Sequence, residues 1–113
     1  MSHITTHVLD VSLGRPAANV SVILEAQSVR GEWAEAARGT TDADGRLRDW
    51  PAAKAVPAGT YRLIFDTRPY FASRKIQSLY PQVVVVFEVR DAQEHYHIPL
   101  LLSPFGYSTY RGS

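Results

Sequence analysis

The sequence has 113 residues, 45% hydrophobic and 20% charged, enough for one compact core but too few for a sandwich to enclose a deep pocket of its own. Twelve Lys and Arg are interspersed with eleven Asp and Glu for a net charge of +1, so no basic stripe marks a nucleic-acid partner. The absence of cysteine removes disulfides, thiol nucleophiles and thiolate zinc sites, and no run approaches the ~18 apolar residues of a membrane-spanning helix.

The opening residues Met-Ser-His-Ile-Thr-Thr-His have neither a cationic start nor an apolar stretch suited to a secretory leader, and no Ser-Lys-Leu address is present. A cytoplasmic protein with residues 1–113 in one domain is therefore the expectation. Short β-branched and aromatic runs separated by Gly, Pro and Asp predict an all-β antiparallel sandwich. Ile4, Thr6 and Val8 alternate with Thr5, His7 and Leu9 in a first strand, closed by the Leu13-Gly14-Arg15-Pro16 turn. Val20, Val22, Leu24 and Ala26 share one face of a second, and residues 33–40 can pair back on it. In the turn over residues 41–46, Gly45 can supply a positive φ.

Residues 60–66 form the next strand, with Tyr61, Leu63 and Phe65 on one face. One short helix is predicted over residues 69–77, opened by Pro69 and stopped before Pro81. The run 82–89 is apolar on both faces at first, which predicts a central or interfacial strand. Residues 95–102 and 106–110 make the last two strands, joined through Ser103-Pro104-Phe105.

Period two places Tyr96, Ile98, Leu100 and Leu102 on one face of the penultimate strand and His95, His97, Pro99 and Leu101 on the other. If the first set is core, the two imidazoles point outward beside apolar neighbours, as in a pocket wall or a subunit interface. The same reasoning puts His3 and His7 on the outward face of the first strand, His3 near the terminus reading as solvated. Histidine titrates near ~6.5 and can take a proton from water at neutral pH, which makes these rings general-base candidates. Two imidazoles at i, i+2 with a third from elsewhere also resemble a three-His zinc set, but no His-Glu-x-x-His signature accompanies them.

Arg46 ends the Asp-Gly turn; read alone it is a surface arginine, as are Arg15, Arg62 and Arg74. The segment Tyr107-Ser108-Thr109-Tyr110-Arg111-Gly112-Ser113 is rich in hydroxyls where a bland end is usual, which points to a subunit contact or to a site lined by Tyr110, Arg111 and Ser113. No Gly-x-Ser-x-Gly elbow marks a serine nucleophile.

Thr6-His7-Val8-Leu9-Asp10, Gly14-Arg15-Pro16-Ala17, residues 41–46, residues 95–103 and Tyr110-Arg111-Gly112-Ser113 together resemble the transthyretin-related 5-hydroxyisourate hydrolases, nearly end to end. The combination of His7, Arg46 and His97 with the Tyr-Arg-Gly-Ser end resembles the enzymes rather than the hormone carriers of the same superfamily. The resemblance implies a transthyretin-like two-sheet sandwich of about eight strands with one short helix, assembled as a homotetramer with sites at the dimer–dimer interface. It implies metal-independent hydrolysis of 5-hydroxyisourate to 2-oxo-4-hydroxy-4-carboxy-5-ureidoimidazoline without a cofactor. His7, Arg46 and His97 are then catalytic, and Tyr110, Arg111 and Ser113 bind substrate. A carrier of a small aromatic ligand is the competing expectation, to be separated by whether polar or apolar groups line the site. A pure interaction domain has only the fold class in its favour.

Overall fold

Period-two alternation governs the strands of the computed structural model, which describes residues 3–50 and 56–113. In chain order these are β1 Ile4–Asp10, β2 Arg15–Pro16, β3 Ser21–Gln27, β4 Trp33–Thr40, β5 Arg46–Leu47, β6 Gly59–Asp66, β7 Val83–Val89, β8 Tyr96–Ser103 and β9 Gly106–Thr109, with a helix α1 at Arg68–Ala72. One sheet runs β4-β3-β6-β7 and is antiparallel throughout. The other runs β2-β1-β8-β9, with β5 also paired to β1. The chain thus forms the two-sheet sandwich with one short helix expected of it.

The faces that meet between the sheets are those predicted by alternation. Val22 and Leu24 of β3, Tyr61, Leu63 and Phe65 of β6, Ile4 and Val8 of β1, and Ile98, Leu100 and Leu102 of β8 are all buried. Each such side chain contributes about 1.5–3 kcal/mol relative to exposure. Asp10, at the inward end of β1, is a fully buried carboxylate. It accepts hydrogen bonds from the Ser12 hydroxyl, the Ser12 and Leu13 N–H groups, Tyr70 Oη and Arg74. This network pins α1 to the sheet.

Three expectations are corrected. The helix stops at Ala72, well before Pro81, because Lys75 takes a left-handed φ of 57° and the Ile76 N–H turns back to the Phe71 carbonyl. Of the two readings of the β7 valine run, central or interfacial, the central one fails: among the described residues β7 pairs with β6 alone, as an edge strand that leaves Val84 and Val86 exposed. Hydrophobicity reports that a strand has faces suited to burial, not what buries them. Nor is the sandwich wholly antiparallel, since β1 and β8 pair in parallel, Thr5 opposite His97 and His7 opposite Pro99. That parallel ladder positions the site.

Candidate active site

On the face of β1 and β8 turned away from the core stand Thr5, His7 and Leu9 from one strand and His97, Pro99 and Leu101 from the other. His7 and His97 therefore lie on neighbouring strands of one surface, two residues out of direct register. The His7 Nε2 is 2.9 Å from the Asp44 carbonyl. A carbonyl only accepts, so Nε2 carries the hydrogen and the neutral ring keeps its lone pair on Nδ1. The His97 Nδ1 is 2.8 Å from the Thr5 hydroxyl, and that hydroxyl is also 2.7 Å from His95 Nε2.

Arg46 reaches this surface because β5 pairs antiparallel with β1, setting Arg46 directly opposite His7. The turn before it is tightly built. Asp42 Oδ1 accepts from the N–H groups of Asp44 and Arg46, and Thr41 Oγ1 donates to the Ala17 carbonyl while accepting from the Val20 N–H. Gly45 adopts φ 73°, and a Cβ there would lie 2.4 Å from the Val8 carbonyl oxygen, so the turn can press against β1 only with glycine at that position. Arg46 makes no ion pair among the described residues, which leaves its donors free for an anion or a polarised carbonyl.

The Tyr-Arg-Gly-Ser end is an ordered continuation of β9. Gly112 sits across from His97 and donates its N–H to the His97 carbonyl at 2.8 Å, an isolated bridge in the same register as the β8–β9 pairing. The His97 ring lies over it: a Cβ on Gly112 would be 2.6 Å from His97 Cδ2 and 3.2 Å from Pro99 Cγ. Tyr110, two residues earlier, projects on the same outward face and is 56% exposed. Ser113 is exposed beside Gly112. Arg111 does not join them. Its guanidinium stacks 4.3 Å over the Tyr96 ring, reaches the His95 carbonyl at 3.2 Å and pairs with Glu94 at 3.7 Å, on the opposite side of the strand.

Burial of the His97 imidazole, reinforced by the nearby His95, His7 and Arg46, pushes its pKa below the ordinary 6.5. The ring is therefore held neutral near pH 7, as a base must be. Among the described residues no three His, Asp or Glu side chains form a metal-binding group. The surface is open in the single chain: its hydroxyls, imidazoles and guanidinium are flanked by half-buried Leu9 and Leu101 and by exposed Val11. A groove of about 580 Å³ lies elsewhere, on the other sheet, between Ser21, Arg38, Ile64 and Asp66.

Two participants in this geometry, Thr5 and Gly112, are absent from the residues singled out by spacing. Thr5 shares a face with His7 by alternation, but its place between two imidazoles follows from the β1–β8 register. No local pattern encodes that register.

The sequence matches the family described as HIUase/Transthyretin over residues 4–112. The 5-hydroxyisourate hydrolase of Salmonella dublin is 47% identical over 111 residues, spanning 97% of this chain and 80% of that protein. The structure of Klebsiella pneumoniae 5-hydroxyisourate hydrolase is similar with a TM-score of 0.86 at 37% identity, over 100% of both chains. Sea bream transthyretin, solved in complex with thyroxine, is similar with a TM-score of 0.89 at 33% identity, over 96% of this chain and 93% of that one. The backbone is similar to a hydrolase and to a thyroxine-bound transthyretin at comparable TM-scores. Only side chains can separate the two.

Proposed function

The chain belongs to the HIUase/Transthyretin family, and from that premise we propose that it hydrolyses 5-hydroxyisourate to 2-oxo-4-hydroxy-4-carboxy-5-ureidoimidazoline in urate breakdown. The observation that carries the reading is the shared outward surface on which His7, Arg46 and His97 meet, with Arg46 unpaired and His97 held neutral. Three ionisable groups suit a polar heterocycle that must be opened by water. A channel for an apolar hormone calls for aliphatic lining in their place.

In this mechanism a water between His7 and His97 loses a proton to an imidazole and adds to a ring carbonyl carbon. The ring C–N bond breaks, the departing nitrogen takes a proton, and a carboxylate and a ureido group remain. Arg46 stabilises the negative charge that develops on oxygen. Tyr110 and Ser113 orient substrate, and Arg111, anchored on Tyr96 and Glu94, holds the segment that carries them. A positioned base supplies roughly 10²–10⁴-fold and one aimed donor roughly 10²–10³-fold, which is enough for an activated cyclic amide without a metal.

The reading includes a homotetramer of single-domain subunits, residues 1–113, with the sites at the dimer–dimer interface. The openness of the His7–His97 surface, its apolar flanks and the one-sided pairing of β7 and β9 support it. Sedimentation should give four copies at micromolar concentration, with activity per subunit falling on dissociation. A cytoplasmic location belongs to the same proposal and is tested by cell fractionation; among the described residues no helix is long and apolar enough to cross a membrane.

The test of function is direct. Urate oxidase generates 5-hydroxyisourate in the cuvette, the protein is added, and loss of the intermediate's absorbance is followed. Decay at the spontaneous rate refutes the proposal; acceleration that survives a chelator supports its metal-independent form.

A further inference from the structure

The Thr5 hydroxyl has one hydrogen to donate and lone pairs to accept with, yet it lies within hydrogen-bond distance of two imidazole nitrogens, His97 Nδ1 at 2.8 Å and His95 Nε2 at 2.7 Å. No other hydrogen bond of this hydroxyl exists among the described residues, and Thr5 is only 8% exposed, so water is a poor substitute. Leaving a buried donor unpaired is costly. Satisfying every atom requires Thr5 to donate to one ring and accept from the other, which couples the tautomers of His95 and His97.

Two arrangements meet that condition. In the first, His97 Nδ1–H donates to Thr5 and Thr5 donates to His95 Nε2; the His97 Nε2 is then bare and can take a proton. In the second, all donors are reversed and Nε2 of His97 carries a hydrogen, so the ring cannot act as a base there. Passing from the first to the second takes a proton onto His97 Nε2, shifts two protons along the line His97–Thr5–His95 and removes one from His95 Nδ1. The far end of that line is solvated, since His95 is exposed while His97 is half-buried and covered by Gly112.

Resting on the hydrolytic reading above, we infer that Thr5 is a positioning residue which, together with His95, sets the His97 tautomer and conducts its proton to solvent. The chemistry requires such an exit. Opening a cyclic amide at neutral pH places one hydrogen of the water on the departing nitrogen and leaves a carboxylate, so one proton per turnover must leave the site. His97, having taken it on Nε2, passes its Nδ1 proton to Thr5 Oγ1 as the hydroxyl proton moves to His95 Nε2. His95 then releases its Nδ1 proton to water. No proton is gained or lost along the relay, which ends in the second arrangement; exchange of the His97 Nε2 and His95 Nδ1 protons with water between turnovers, with the two line protons shifting back, restores the first.

Three substitutions and one spectrum test this. Thr5→Val keeps the shape and removes the relay; its kcat should fall roughly 10²-fold, the loss of a general base, with KM changed less than about threefold. Thr5→Ser should stay within about threefold of the parent. His95→Gln, at an exposed position that does not threaten folding, should slow turnover in dilute buffer and recover with added imidazole. Long-range ¹H–¹⁵N spectra of the free protein should show His97 protonated at Nδ1, and this preference should vanish in Thr5→Val. Wild-type kcat in Thr5→Val, or an unchanged His97 tautomer in that variant, overturns the relay. If the parent protein does not hasten 5-hydroxyisourate decay, the functional reading falls, while the nitrogen spectra still decide the coupling of the two rings.

Discussion

Gly112→Ala is the sharpest single-atom perturbation the site offers. The added methyl would lie 2.6 Å from His97 Cδ2, whereas carbon atoms settle at 3.5–4.0 Å, so ring and methyl must separate by about 1 Å. The backbone at Gly112 is not left-handed, so alanine carries no conformational penalty there. The His97 ring cannot yield freely, because its Nδ1 is tied to Thr5 at 2.8 Å, and the methyl itself is hemmed in by Pro99 Cγ at 3.2 Å. Moving it by that distance takes the imidazole out of line with Thr5 and with any water it is to deprotonate. A misplacement of about 1 Å costs on the order of 10²-fold in rate, or about 2.7 kcal/mol of barrier. Stability should hardly change, since position 112 lies outside the core. The assay is the coupled decay of 5-hydroxyisourate, run beside a thermal melt. A Gly112→Ala enzyme within threefold of the parent would show that the ring and the terminal segment are not packed as described.

Replacing His97 by Asn should remove roughly 10²–10⁴-fold of kcat with the melting transition unchanged, and full activity would take His97 out of the mechanism. Because burial, with His95, His7 and Arg46 nearby, lowers the His97 pKa below 6.5, and the proposed base is the neutral ring, the acid limb of kcat/KM should have its midpoint below 6.5. A midpoint above that value contradicts the assignment. Asp10→Ala leaves Tyr70, Arg74 and two backbone N–H groups without their acceptor and should cost about 3 kcal/mol in urea unfolding. Burial works to raise the Asp10 pKa, but hydrogen bonds from Ser12, Tyr70 and Leu13 outweigh it and hold the carboxyl below 3.8. The parent should therefore lose this component as the pH falls below 3.8 and on through the folded-state pKa, while the variant has none to lose.

Much of this architecture is legible in single-strand patterns. The face of Val22 and Leu24 is opposed by Ser21, Glu25 and Gln27, that of Tyr61, Leu63 and Phe65 by Thr60, Arg62 and Asp66, and that of Ile98, Leu100 and Leu102 by His95, His97 and Pro99. This period of two assigns the inward faces and the outward direction of His97, as Ile4 and Val8 do for His7. What is illegible is everything set between strands. The helix prediction runs past Ala72 because a proline at position 81 says where a helix must have ended, not where Lys75 unwinds it. The β7 valines announce burial without naming their cover. Thr5 looks like one more β-branched strand residue, and only the register that places it opposite His97 reveals the bridge between two imidazoles. Gly112 serves in the sequence as part of a family label; the ring lying on it supplies the physical reason for glycine.

The parallel pairing of β1 with β8 also bears on how the protein is made. Thr5 and His97 are 92 positions apart, and at typical rates of synthesis β1 emerges roughly 5–20 s before its principal partner exists. During that interval β1 can hold only the short β2 and β5, and its other edge is unclaimed. An open strand edge on a nascent chain invites unwanted pairing. The Thr5-Thr6-His7 stretch, polar for a strand that ends largely buried, lessens that hazard until the last two strands arrive and cover it. The proposed active surface is thus complete only once β8 and β9 have been made, and a nascent chain stalled before β8 would lack it as well as be prone to aggregate.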